Sequence, residues 1–247
     1  MTTGEEGARS VGQRARRVGT ELAVIVSGVL IALWADGMVA ERSTRRELDE
    51  HLETVRAELV QVASELDRHV AVLETRLESL DWLASFAAND ASGDDRAVYE
   101  AVAQGLLDPR TFEPELGALT DLESAGLMPA VRTVELRTTL SGLRDALRFL
   151  ATSETVNITG PAQRVFDPWV LEELPFVWSE MARYDGRAGG PAEPLEAADW
   201  SPLRTVRGQA ILAMQYDLVA STLREWQAFE EHLEATVRLI DEELAID

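Results

Sequence analysis

No cysteine and no lysine occur in the 247 residues; all 23 basic residues are arginine. The first absence removes disulfides, zinc–thiolate sites and cysteine nucleophiles, and it leaves the compartment open. The second removes Schiff-base chemistry and the phosphate-gripping lysine of a Walker motif. Histidine is scarce too, at His51, His69 and His232. Glu47/His51 and Glu65/His69 repeat one i,i+4 pairing on a single helix face, which invites a metal reading. The di-iron Glu-x-x-His spacing is missing, however, because Leu48, Leu66 and Phe229 stand three residues before the histidines. Ordinary helix ion pairs account for the repeat better. No glycine-rich phosphate loop, H-E-x-x-H or G-x-S-x-G is present. Acid pairs such as Asp94/Asp95 and Glu172/Glu173 fit helix starts and solvated faces. No catalytic residue, metal or cofactor is expected, and the protein reads as a non-enzyme.

Positive charge is also in deficit. Against 44 acids the net charge is −21. The first 20 residues hold four arginines and two glutamates, +2, so the remainder carries −23. Such a surface repels nucleic acid, and a cation or a basic protein is the partner it favours. Apolar residues make up 46%, enough to build a core.

Long hydrophobic runs are limited to one: Leu22 to Ala35, reading LAVIVSGVLIALWA. Its 14 uncharged residues are short for a membrane span, which wants about 20. The wider window 18–40 has 23 residues and reaches roughly 34 Å as a helix. Three readings compete: a transmembrane helix, a cleaved signal peptide, and an interfacial or buried helix. Leu33-Trp34-Ala35 makes a poor cleavage site, and Trp34 suits an interface belt, so the span is preferred. Glu21, Gly28 and Ala35 are spaced by seven, with Ala32 and Asp36 close to the same side. Both acids and the small residues therefore share one face. That face suits close helix packing in lipid, and a homo-oligomer through it is one expected partner. The alternative, equally open, is that both acids lie at the two interfaces of a monomeric anchor.

The run Glu21 to Leu33, followed by Glu41-Arg42, resembles the start of an uncharacterised bacterial family of single-pass, membrane-anchored helical proteins, a domain of unknown function. The family pattern has a glutamate opening the apolar run, a Gly-x-Leu-Ile-Ala-Leu core, and a Trp-Asn-Glu stretch before an arginine. Glu21, Gly28, Leu30 to Leu33, Glu41 and Arg42 match it. Thr20 and Met38 depart, standing where the family has Gly and Trp. A second similar segment is Leu122 to Gly126, with Val131 and Glu135-Leu136-Arg137. The resemblance implies a single-pass protein of a bacterial inner membrane and brings no activity with it. The arginines at 9, 14, 16 and 17 place the remaining domain on the periplasmic side.

Periodicity predicts an all-α fold. After a basic tail, 1–17, and the membrane helix, 18–40, a long helix is expected over 41–92. Its seam runs Leu48, Leu52, Val55, Leu59, Val62 and Leu66 in alternating steps of four and three. His69 takes the next seam position, and the 4-4 step from Leu73 to Leu77 reads as a stutter. A compact helical insert follows over 93–200, with helices near 96–107, 115–125 and 129–150 and a loop over 155–163. Phe166, Trp169, Phe176 and Trp178 cluster near its end, as aromatic core or as a partner pocket. Ser201-Pro202 opens a long return helix over 201–247, with Leu223, Trp226, Leu233, Val237, Ile240 and Leu244 on one face. The two long helices are expected to form an antiparallel, coiled-coil-like hairpin around the insert. The function expected is a membrane-anchored interaction or sensing protein with an unidentified protein or small-molecule partner. The competing expectation is an oligomeric or ion-conducting assembly built on Glu21, Gly28 and Ala32.

Overall fold

The computed structural model describes residues 5–89, 94–107, 111–174, 177 and 199–246, with side-chain surroundings from Ser27 onward, residues 162 and 163 excepted. All regular structure among them is helical: α1 (Glu5–Ala88), α2 (Asp95–Leu106), α3 (Gly117–Ser124), α4 (Val134–Glu154), α5 (Asp167–Glu173), α6 (Ser201–Arg204) and α7 (Val206–Leu244). A 3₁₀ turn covers Met128–Ala130, and π-helical stretches cover Thr155–Thr159 and Ala162–Phe166.

α1 is a single helix of 84 residues, roughly 125 Å long at about 1.5 Å per residue. No proline interrupts it, and its Leu, Ala, Glu and Arg content is that of a strong helix former. α7 packs against its second half in antiparallel sense. Arg45 meets Glu243 at one end, and His69 meets Trp226 further along. The buried positions of α1 include 48, 52, 55, 59, 62, 66, 69, 73, 76, 80, 83 and 87, with Val70 and Phe86 beside them. Those of α7 include 208, 212, 215, 219, 222, 226, 229, 233, 236, 240 and 243. Both series alternate four and three without a break, so the expected stutter near Leu77 is absent. The seam passes through Arg76 instead, 3% exposed, whose Nε donates to the Gly105 carbonyl at 2.9 Å. A pattern drawn from apolar residues alone skips such a position. On α7 likewise, Gln215, Thr222, Thr236 and Glu243 hold seam positions, while Val237 and Leu244 are only half-buried.

The return helix begins later than Ser201-Pro202 suggests. α6 is one turn, Thr205 breaks it with an extended backbone, and the Thr205 hydroxyl accepts from Gly208 N at 3.0 Å. The α6 chain crosses so near that a Cβ on Gly208 would sit 2.2 Å from the Pro202 carbonyl oxygen. Only glycine fits that corner.

The expected loop over 155–163 is helical. Pro161 cannot donate a backbone hydrogen bond and crowds the preceding turn, which ordinarily ends a helix. Here the chain widens to i→i+5 bonding, Gly160 N donating to the Thr155 carbonyl, and helix continues through the proline. α4 also starts at Val134 rather than near Pro129, which lies in the 3₁₀ turn.

From Ser27 to Val39, α1 is exposed almost throughout; Val29, Leu30, Ile31, Leu33, Trp34 and Val39 show 54–67% of their surface. No helix among the described residues is long and apolar enough to cross a membrane. The described side chains take in only the later part of the 18–40 window, 14 residues against the about 20 that a span needs. The transmembrane helix expected over 18–40 thus falls partly outside the residues whose side chains are described.

Candidate functional site

Three glutamates pin the chain between α2 and α4 to the long helices. Glu58 of α1 accepts from Ala118 N at 3.0 and 3.1 Å and from Leu119 N at 3.4 Å. It thereby caps α3, whose own N-cap residue, Leu116, offers no side-chain acceptor. Glu154, the last residue of α4, has no exposed surface. Its Oε1 lies 2.7 Å from His69 Nε2, and its Oε2 accepts from Phe112 N at 3.0 Å. The imidazole stacks on Phe112 at 5.4 Å and meets Trp226 edge-on at 5.9 Å.

Glu243, also without exposed surface, sits near the C-terminal end of α7. It accepts from Arg45 Nη1 at 2.8 Å, Arg132 N at 3.1 Å, Thr133 N at 3.0 Å and Thr133 Oγ1 at 2.7 Å. Burial alone pushes its carboxyl pKa up. The hydrogen bonds from Thr133, Arg45 and the two backbone amides outweigh that and bring it down to about 2. Elsewhere on the α1–α7 seam, Glu230 is pushed up to about 7. A hydrogen bond with Asp67 is the largest cause, followed by burial and the charges of Asp67, Glu234 and Glu74.

Glu58 and Glu154 hold the chain at Ala118 and Phe112, and between these points residues 113–117 stand off from α4. A groove of about 640 Å³ opens there. Pro114, Leu116, Leu147, Ala151 and Val156 form its apolar part. Exposed Glu113 and Glu115 lie along one wall and Arg144 and Arg148 along the other. Arg144 is committed, donating to Thr120 Oγ1 at 2.8 Å and pairing with Glu123 at 2.8 Å. The Arg148 side chain is 72% exposed, with Asp145 4.0 Å away. Val156, 63% exposed, flanks the opening. The lining combines apolar side chains with charges of both signs and holds no histidine. A smaller groove of about 360 Å³ lies between α1 and α7, beside Asp81, Leu212, Tyr216 and Asp217. No group of three or more metal-ligating side chains occurs among the described residues.

The residues singled out from the sequence are placed differently. Gly28, Ala32, Ala35 and Asp36 are exposed along α1. Glu21 lies on the same helix, with its side chain outside the described residues. Phe166 and Trp169 are buried at 0% and 1%, so they fill the core instead of lining a partner pocket; Phe176 and Trp178 lie outside the described residues. The Glu65/His69 helix pair does not form. Glu65 accepts from Gln61, and His69 turns inward to Glu154. Glu58, Glu154 and Glu243 were not anticipated as anchors. The one available signal was His69, a histidine at a position where the heptad demands burial, which requires a polar partner from elsewhere.

Compared with family models, curated proteins and solved structures, the chain matches none.

Proposed function

We propose that this is a membrane-tethered, non-enzymatic interaction protein. On this reading the apolar stretch of α1 lies in a lipid bilayer, and the helical domain presents the α4 groove to a partner. The observation that carries the proposal is the continuity of α1. One helix holds both the exposed apolar residues Val29–Val39 and the buried seam that starts at Leu48. Whatever surface covers the former fixes the position of the domain. An exposed apolar stretch of this kind marks an interaction with a membrane or a partner. The resemblance of Glu21–Leu33 to membrane-anchored proteins points the same way, and so does the arginine-rich flank before it. The bacterial inner membrane, with a periplasmic domain on a single-pass, coiled-coil-like stalk, belongs to this proposal.

Membranes from expressing cells, washed in high salt and then in alkali, test it. The protein should remain with the lipid through both washes. Release by alkali alone assigns the stretch to the interface, and a soluble form beginning near Asp36 assigns it to a cleaved leader. Protease added to spheroplasts should remove the domain if it is periplasmic.

The second reading, an oligomeric or ion-conducting assembly, is favoured by one feature. A Cβ at Gly28 would meet nothing within 4 Å, and Ala32 and Ala35 beside it are exposed, which leaves room for another helix. Gly28→Leu should then break an oligomer that Glu21→Gln leaves intact.

A further inference from the structure

We propose that the end of the domain nearest the exposed stretch of α1 seats on zwitterionic phospholipid headgroups through Val134, Ile246, Arg42 and Arg46, an inference that rests on the membrane reading above and adds a second contact to it. Three helices meet at this end. α1 passes it at Arg45, whose guanidinium donates to the Glu243 carboxylate and to the Glu243 carbonyl, each at 2.8 Å. α7 ends there, and the Ile246 carbonyl just beyond it accepts from Arg45 at 3.5 Å and from Arg132 at 3.4 Å. α4 starts there, because Thr133, immediately before Val134, donates to Glu243 from its amide and its hydroxyl. At its far end Glu154 meets His69, so α4 runs away from the exposed stretch of α1. Side chains tilt toward the N-terminus of their own helix, which turns Val134 back toward that stretch. Val134 is 65% exposed and Ile246 41%.

Spacing and charge both fit a headgroup layer. From Val39, 67% exposed, to Arg45 is six residues, roughly 9 Å along the helix at about 1.5 Å per residue. The headgroup layer on one side of a bilayer is roughly 5–8 Å deep. With Val39 at the edge of the hydrocarbon, Val134 and Ile246 come down on the outer part of that layer. Arg42 and Arg46, one turn apart on α1, are exposed, and no ion pair holds either among the described residues. Glu41, Glu135 and Glu242 are exposed on the same three helices. Arginine grips phosphate, and a carboxylate attracts an ammonium group, so a lipid that carries both matches this end. A uniformly anionic layer suits it less, because the chain as a whole carries −21. Seating at a second place fixes the tilt of α1, and with it the direction in which the α4 groove faces.

The test uses single cysteines in the full-length chain, reconstituted in phosphatidylcholine vesicles. Val134→Cys and Ile246→Cys each carry a fluorescent label, read against a nitroxide on the lipid headgroup. Leu33→Cys, read against an acyl-chain nitroxide, reports the tether. Phe149→Cys, at a site 69% exposed and 15 residues further along α4, is the control. The labels at 134 and 246 should lose most of their fluorescence, and the label at 149 none. Quenching at 33 without quenching at 134 and 246 overturns the seating and leaves the tether standing. No quenching at 33 refutes the membrane reading, and the seating falls with it. Equal quenching at 149 also overturns the seating, since no one end of the domain then faces the lipid. Labels at 134 and 246 that neither the lipid nitroxide nor aqueous iodide reaches assign this end to a protein partner instead.

Discussion

Between Ser27 and Val39 the apolar residues of α1 are exposed, and between Leu48 and Ala87 most apolar residues of the same helix, Val60 and Trp82 excepted, pack toward α2, α3 and α7. Both halves are helical. They differ in what surrounds them, which separates the reason α1 is a helix from the reason it is stable. In the second half the helix is held by tertiary packing. In the first it continues with no packed partner from the described chain, and its apolar face awaits an external one.

Truncations should expose that contrast most strongly. Leu59→Ala, at a fully buried seam position, should cost about 2–5 kcal/mol in denaturant unfolding. Leu33→Ala, 63% exposed, should leave the unfolding midpoint within about 0.5 kcal/mol. Equal losses at both sites would abolish the distinction between the halves.

The Glu243 clamp ties the end of α7 to Arg45 of α1, beside the exposed half. Its folded pKa of about 2 lies below the ordinary 4.5, so its stabilisation is complete above pH 4.5 and is lost as pH falls toward 2. The amount is about 3 kcal/mol at most. Glu243→Gln should flatten the acid limb of a stability–pH profile, and an unaltered limb would place the acid sensitivity elsewhere.

Glycines divide in the same way. Gly208→Ala drives a Cβ against the Pro202 carbonyl and should cost about 1–3 kcal/mol, measured by thermal unfolding. Gly28→Ala enters open space within a helix and should be neutral or favourable by up to about 1 kcal/mol.

Glu230 responds to pH in the opposite sense to Glu243. Its folded pKa, raised to about 7, means its stabilisation is complete below pH 4.5 and declines as pH rises to about 7. Its own contribution should therefore fall between pH 4.5 and about 7, and Glu230→Gln should remove that decline from the stability–pH profile.

Much of the fold is legible in the sequence because helix period and burial coincide from Leu48 to Leu66. Legibility fails where a polar residue holds a buried position. Arg76 at the seam reads as a stutter, and Gln215 and Thr222 shift the apparent face of α7 toward Leu223 and Val237. It fails again at Pro161, where a widened turn absorbs a residue that ordinarily ends a helix. The groove was least legible of all. Its walls are set by Glu58 and Glu154 reaching 60 and 42 residues along the chain, separations that no local pattern encodes.

The central claim, that lipid covers the first half of α1, is tested most directly by single cysteines placed in this cysteine-free chain. An environment-sensitive label at position 29, 31 or 33, with Ala57 as the control, is read in vesicles carrying nitroxide-labelled acyl chains. The account predicts strong quenching at 29, 31 and 33 and none at 57. No quenching at 29–33, or equal quenching at 57, would contradict it.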